Sequence, residues 1–225
     1  MKLGLGLYRH MLRAEEFAFA RQCSCTDLII HLANYYSNVR EIVKATDEKV
    51  NYGDSKAGES IWSLESLLEL QRRAQARGLR IYGIENFSPA DWYDVLLDGP
   101  KKEEQMENLK QIIRRVGQAG IRCFGYNFSL AGVWGHQKTT RARGGAVSTC
   151  FHADQLDLEA RIPNGEVWNM TYDPNAPEGH IPDIGYEELW ARLKWFLEQI
   201  LPVAEEAGVM MALHPDDPPM PYLRG

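Results

Sequence analysis

Three times along this chain a helix-period stretch stops at a glycine, and a short apolar run begins within two residues. Residues 64–77 put Leu64, Leu67, Leu68, Leu70 and Ala74 on one stripe, stop at Gly78, and lead into residues 80–87 (RIYGIENF). Residues 101–118 put Met106, Leu109, Ile112, Ile113 and Val116 on one face, stop at Gly120, and lead into residues 122–129 (RCFGYNFS). Residues 186–206 carry Leu189, Leu193, Phe196, Leu197, Ile200 and Leu201, stop at Gly208, and lead into residues 209–213 (VMMAL). Apolar residues at i, i+3, i+4 and i+7 describe a helix with one buried face. Short apolar runs bounded by breakers describe strands buried on both faces. Glycine closes each helix because the left-handed terminal position carries no Cβ penalty for it. Two further strands are expected at residues 2–8 and 26–32, with a helix at residues 14–22 between them. In that helix Phe17 and either Ala20 or Arg21 face inward. Ser63 is the expected N-cap of the second helix, and Pro202 is expected to kink the last one.

Strands and helices therefore alternate, with no tight hairpin signal between strands. That order implies a parallel sheet with right-handed crossovers. An open doubly wound sheet and a TIM (β/α)8 barrel both satisfy it. No G-x-G-x-x-G follows the first strand, which counts against a dinucleotide fold. Polar residues stand at the C-terminal end of every strand: Arg9 and His10, Asn34, Glu85 and Asn86, Tyr126 and Asn127, His214 and Asp216. A barrel assembles its site in this way, one or two residues per strand. The expectation is α/β, a TIM (β/α)8 barrel of which about five strands and four helices are present. The barrel would be truncated at the C-terminus and form a single domain over residues 1–225. Residues 130–184 are long, rich in Gly and Pro, and carry Trp134, Trp168 and Tyr172. They are expected to be a lid inserted after the fourth strand. Residues 37–60 read as a polar connection.

Charge narrows the partners. Lys and Arg number 25 against 31 Asp and Glu, a net charge of −6 without a basic run. A nucleic acid or an anionic membrane would want a basic face. No apolar run approaches the ~20 residues of a membrane span. The opening MKLGLGLYRH is too short and too quickly charged for a signal peptide, so a cytoplasmic location is expected. Cys23, Cys25, Cys123 and Cys150 are then expected to be reduced and mostly buried. The C-x-C of Cys23 and Cys25 lacks the second pair of a structural zinc site.

The chemistry gathers where residues 209–213 run into His214-Pro215-Asp216-Asp217-Pro218-Pro219. Prolines cannot donate to a sheet ladder, so the strand ends and His214, Asp216 and Asp217 fall at its C-terminal lip. Ligands of α/β folds bind at that lip. Glu85, His214, Asp216 and Asp217 could converge on a divalent ion or serve as acid and base. Arg141 and Arg143 could clamp a carboxylate or remain solvated loop charges. His31 reads either as a pocket residue or as a core histidine with a partner.

The run from Val203-Ala204-Glu205-Glu206-Ala207-Gly208-Val209 through His214-Pro215-Asp216-Asp217-Pro218-Pro219 closely resembles the mannonate dehydratase family. Gly58-Glu59 with Ile61-Trp62-Ser63, Glu85, and Gly120-Ile121-Arg122 leading to Tyr126-Asn127-Phe128 agree in order. The resemblance implies a (β/α)8 barrel that dehydrates D-mannonate to 2-keto-3-deoxy-D-gluconate in hexuronate (glucuronate) breakdown, using Mn2+ or Fe2+. It makes His214 a metal ligand. The other ligands, a cysteine, a histidine and an aspartate, would come from later strands, beyond Gly225. On this reading Arg9, Glu85, Asn127 and Arg141 bind the sugar acid, and Tyr126, Asp216 and Asp217 are catalytic. Asp216 or Asp217 would orient His214 or bind substrate hydroxyls. The chain departs from the family where Gly135-His136, not arginine, follows Trp134. A sugar acid is the expected partner, with assembly into a homo-oligomer left open. The alternatives are a sugar isomerase or epimerase of the xylose-isomerase type, and an inactive fragment lacking its remaining ligands.

Overall fold

Glycine does at each helix end what the sequence asks of it. Gly78, Gly120 and Gly208 take φ of 69°, 75° and 66°, the left-handed region that releases the chain from a helix. These turns appear in a computed structural model that describes residues 2–33, 61–132, 135–155, 157, 159–168 and 170–225. Asn34, Gly58, Glu59, Trp134, Asn169 and the connection at residues 37–60 lie outside the described residues.

The strands β1 (Gly4–Leu7), β2 (Asp27–His31), β3 (Arg80–Glu85), β4 (Cys123–Tyr126) and β9 (Met210–Leu213) form one sheet in the order β1-β2-β3-β4-β9. Every pairing in it is parallel. The helices α1 (Ala14–Gln22), α2 (Leu64–Gln75), α3 (Pro89–Leu97), α4 (Lys102–Gln118) and α5 (Tyr186–Ala207) lie between the strands in sequence. Four short strands, β5 (His136–Thr139), β6 (Ser148–Phe151), β7 (Glu166–Val167) and β8 (Met170–Thr171), form two separate antiparallel pairs. The stretch expected to lack regular structure therefore contains two small ribbons. Leu130, Ala131 and Ile162 of that stretch form a satellite core with Ile181, Ile184 and Leu189.

The helix faces follow the apolar spacing. Phe17 and Ala20 of α1 are buried, as are Met106, Leu109, Ile112, Ile113 and Val116 of α4. Ser63 caps α2 by accepting from Ser66 N at 3.1 Å. Four expectations need correction. In α2, Leu68 is 40% exposed while Gln71 is buried, because Gln71 has backbone partners in β3. In α5, Leu201 is exposed. The segment after β3 is the helix α3, opened by Pro89 at its first turn, where a proline's missing N–H costs nothing. Last, β9 is not buried on both faces: Met210 is 56% and Leu213 50% exposed. Among the described residues β9 pairs with β4 alone.

The α4 and α5 helices cross closely at Gly117. A Cβ there would stand 2.4 Å from the Ala207 carbonyl oxygen. Beneath the helices Phe87, Trp92, Phe124, Phe128 and Phe196 form an aromatic core, with ring centroids 4.3–5.9 Å apart. All four cysteines are free thiols, but only Cys25 is buried; Cys23 is exposed, and Cys123 and Cys150 are half-buried. No helix among the described residues is long and apolar enough to cross a membrane.

Candidate active site

Parallel register decides which side chains share a face. Leu7, Ile30, Ile84, Phe124 and Met211 form one row across the sheet. The first four of them are buried in the main core with the helices. Strand residues alternate sides, so the next row, His31, Glu85, Gly125 and Ala212, turns to the opposite face. That row lies at the C-terminal rim of the sheet. Ala212 is exposed and His31 and Glu85 are half-buried.

His31 and Glu85 meet directly across the rim. His31 Nε2 stands 3.4 Å from Glu85 Oε2. Tyr8, just past β1, lies against the imidazole with ring centroids 4.6 Å apart. Burial pulls the His31 pKa down from its ordinary value, and the Glu85 charge works in the opposite direction. Asn86 and Asn127 follow β3 and β4. Both are buried, and the Oδ1 of each accepts no hydrogen bond among the described residues. Asn86 adopts φ 66°, and its N–H donates to Gly125 O at 2.8 Å. Unmet buried acceptors at a rim mark places that a ligand donor can satisfy.

At the edge of the sheet, His214 N donates to Tyr126 O at 2.8 Å, which continues the ladder one residue past β9. The ring Nδ1 lies 2.6 Å from Pro215 O. A carbonyl can only accept, so the contact is a hydrogen bond only when Nδ1 carries a proton. With Nδ1 alone protonated, Nε2 has the lone pair that suits a metal ligand. The Pro215 carbonyl is thus one group positioned to orient the ring. Asp216 is exposed and Asp217 half-buried. His214 and Asp216 border a cavity of about 480 Å³ whose walls include Leu130, Ile162, Leu189 and Tyr222. Among the described residues no three His, Cys, Asp or Glu side chains are grouped to hold a metal ion.

Two other expectations change. Tyr126 is 4% exposed, with its ring centroid 5.4 Å from Phe196. Strand alternation puts it on the helix side, opposite Glu85, and burial raises its phenol pKa. It packs in the aromatic core. Arg141 and Arg143 are exposed on the connection between β5 and β6, and Arg141 N donates to Thr139 Oγ1. Arg9 sits in a helical turn after β1 and is exposed. Four interstrand steps separate β1 from β9, about 19 Å along a flat sheet, so Arg9 and His214 occupy opposite ends of the rim. Glu85 and Asn127 lie between them. The sequence reading did not pair His31 with Glu85, since only the β2–β3 register brings them together.

The D-mannonate dehydratase (UxuA) family profile matches residues 30–225. The chain is 37% identical over 166 residues to a mannonate dehydratase of Streptococcus pneumoniae (strain 70585), covering 70% of this chain and 45% of that protein. It is 33% identical over 174 residues to a mannonate dehydratase of Geobacillus thermodenitrificans (strain NG80-2), covering 71% and 46%. The crystal structure of mannonate dehydratase from Streptococcus suis serotype 2 superposes with a TM-score of 0.65 at 27% identity, covering 100% of this chain and 57% of that one. The chain therefore spans about half the length of the curated relatives it matches.

Proposed function

The chain belongs to the D-mannonate dehydratase family, and on that premise we propose that it carries part of the site of a hydro-lyase. The reaction is loss of water from D-mannonate to give 2-dehydro-3-deoxy-D-gluconate, within glucuronate breakdown. The match of residues 30–225 carries this reading. The place of His214 at the C-terminal end of β9, bordering a cavity with Asp216, supports it.

Dehydration takes the proton from the carbon next to the carboxylate and expels the hydroxyl of the following carbon. An ion such as Mn2+ or Fe2+ would supply Lewis-acid stabilisation of the developing negative charge. His214 is the residue of this chain that would hold it, through Nε2. Glu85, Asn86 and Asn127 line the rim where hydroxyls of the sugar acid would be received. The exposed carboxylate of Asp216 and the half-buried one of Asp217 flank the histidine, where either could take or return a proton. Arg9 and Arg141 are placed to meet substrate only if the sheet curves and the β5–β6 ribbon folds over its rim. That corresponds to a (β/α)8 barrel with residues 130–184 as its lid, and both belong to this proposal, as does a single domain over residues 1–225. The same reading puts the protein in the cytoplasm, acting on a small sugar acid without nucleic acid or membrane, and in a homo-oligomer if it assembles.

The test incubates the whole protein with D-mannonate and Mn2+ and measures keto-deoxy acid. His214→Ala should lose bound metal and turnover together. Full activity of that variant with normal metal content would remove His214 from the site. Ketose formation from aldoses, without keto-deoxy acid from mannonate, would overturn the dehydratase reading itself.

A further inference from the structure

We propose that the outer face of α5 docks on the same face of a second copy of this chain, the two helices running antiparallel about a two-fold axis through the middle of the helix. The inference goes beyond the dehydratase reading and does not depend on it.

Contrast with a neighbouring helix identifies the face. Phe196, Ile200, Val203 and Ala204 form the buried side of α5. On α4 every exposed position is polar: Glu103, Glu104, Glu107, Gln111, Arg114 and Gln118. The outer side of α5 departs from that pattern. Trp190 is 55% and Leu201 40% exposed, and Ala191 and Pro202 are exposed beside them. All four border one open groove along the helix. Scattered exposed apolar residues are ordinary, but a tryptophan grouped with aliphatic neighbours on one helix face suits contact with another protein surface.

The spacing of the face selects a second copy as its occupant. The exposed residues bordering the groove stand at positions 187, 190, 191, 194, 198, 201, 202 and 205. That series reads the same from either end. An antiparallel copy centred on position 196 therefore sets every member opposite another member, as a two-fold interface between identical surfaces requires. Lys194 comes opposite Glu198 of the second copy and Glu198 opposite its Lys194, so two opposite-charge pairs lie at the centre. Trp190 comes opposite Pro202, and Ala191 opposite Leu201, each a larger side chain beside a smaller one. Glu187 and Glu205 meet as like charges, but at the two ends of the face, where water and salt screen them. A parallel copy would instead set Lys194 on Lys194 and Glu198 on Glu198. Within one chain Lys194 Nζ and Glu198 Oε1 are 3.7 Å apart, with side chains 76% and 61% exposed. The pair thus stands at the surface, within reach of a second copy.

The experiment follows the whole protein by analytical ultracentrifugation, from micromolar to several hundred micromolar concentration. The 25.6 kDa chain should sediment as a dimer as concentration rises. Trp190→Ala should weaken the dimer by about tenfold or more, while the circular dichroism and urea midpoint stay close to those of the wild type, since the side chain it removes is exposed. Lys194→Glu and Glu198→Lys should each weaken the dimer by about tenfold, because each creates two like-charge contacts. Mixing those two variants should restore dimers, as an acidic face then meets a basic one. That rescue cannot arise within one helix, because positions 194 and 198 of each variant carry like charges. A monomer at the highest concentration overturns the inference and assigns the face to another occupant. A dimer indifferent to all three substitutions has its interface elsewhere and overturns it too, as does a mixture that associates no more tightly than the single variants.

Discussion

Gln71 offers a direct measure of how the sheet is held to its helices. It lies in the middle of α2 and is 5% exposed. Its Nε2 donates to Ile81 O at 3.1 Å, and its Oε1 accepts from Ile81 N at 3.0 Å. The reason is visible in the register. The pairing of β3 with β4 starts only at Gly83 and Cys123, so the Ile81 peptide groups lie before the ladder begins. The side-chain amide completes that edge. Gln71→Leu keeps the volume and the helix propensity but strands one N–H and one C=O at Ile81, a fully buried residue. Each buried group left unpaired costs about 1–3 kcal/mol, and the added apolar burial returns about 1 kcal/mol. The net expectation is a loss of about 3 kcal/mol, or a fall in Tm of roughly 6–12 °C for a chain of this size. Urea unfolding followed by circular dichroism, with the slope compared between variants, measures it. Gln71→Glu should be worse at pH 7, since a carboxylate cannot donate to Ile81 O and buries a charge. A Gln71→Leu protein within about 0.5 kcal/mol of wild type would refute the reasoning, because such a loss is typical of surface changes.

Three further outcomes are expected. Gly117→Ala should destabilise by about 1–3 kcal/mol, because the new Cβ meets the Ala207 carbonyl oxygen at 2.4 Å and α4 must shift away from α5; thermal unfolding checks this. Ser63→Ala should cost about 1 kcal/mol through the lost cap on Ser66 N, readable in the urea midpoint. The hydroxyl of Thr26 holds the Asp27 carboxyl below its ordinary pKa, and the Arg80 guanidinium adds to the effect against burial, which works the other way. That stabilisation is present above the ordinary carboxylate pKa and is lost as pH falls through the lowered value. Asp27→Asn should therefore be less stable at pH 7 and show a flatter loss of stability in acid; equal acid slopes in the two proteins would count against the pairing.

The sequence carried the order of elements because each boundary is a local event. Gly78, Gly120 and Gly208 end helices by their own backbone freedom, and Ser63 starts one by its own side chain. The inward face of α4 follows from the helical period alone. The prolines after His214 end β9 whatever surrounds it, so the lip with its histidine and two carboxylates could be located from the chain itself. The helix α3 was missed for a local reason too: Pro89 falls so soon after β3 that its turn reads as the tail of the strand.

Contacts between strands could not be read in this way. That His31 faces Glu85 depends on the parallel register of β2 and β3, with a shift between Leu28 and Ile29 that no periodicity announces. That Tyr126 turns away from Glu85 depends on which side of β4 the helices cover. That Gln71 is buried and Leu68 exposed depends on where β4 begins along β3. That Met210 and Leu213 are exposed depends on β9 pairing, among the described residues, with β4 alone. Propensity and punctuation act over a few residues and are written in the chain. Register, facing and edge position are set by the neighbours a strand meets, and only the packed sheet supplies those.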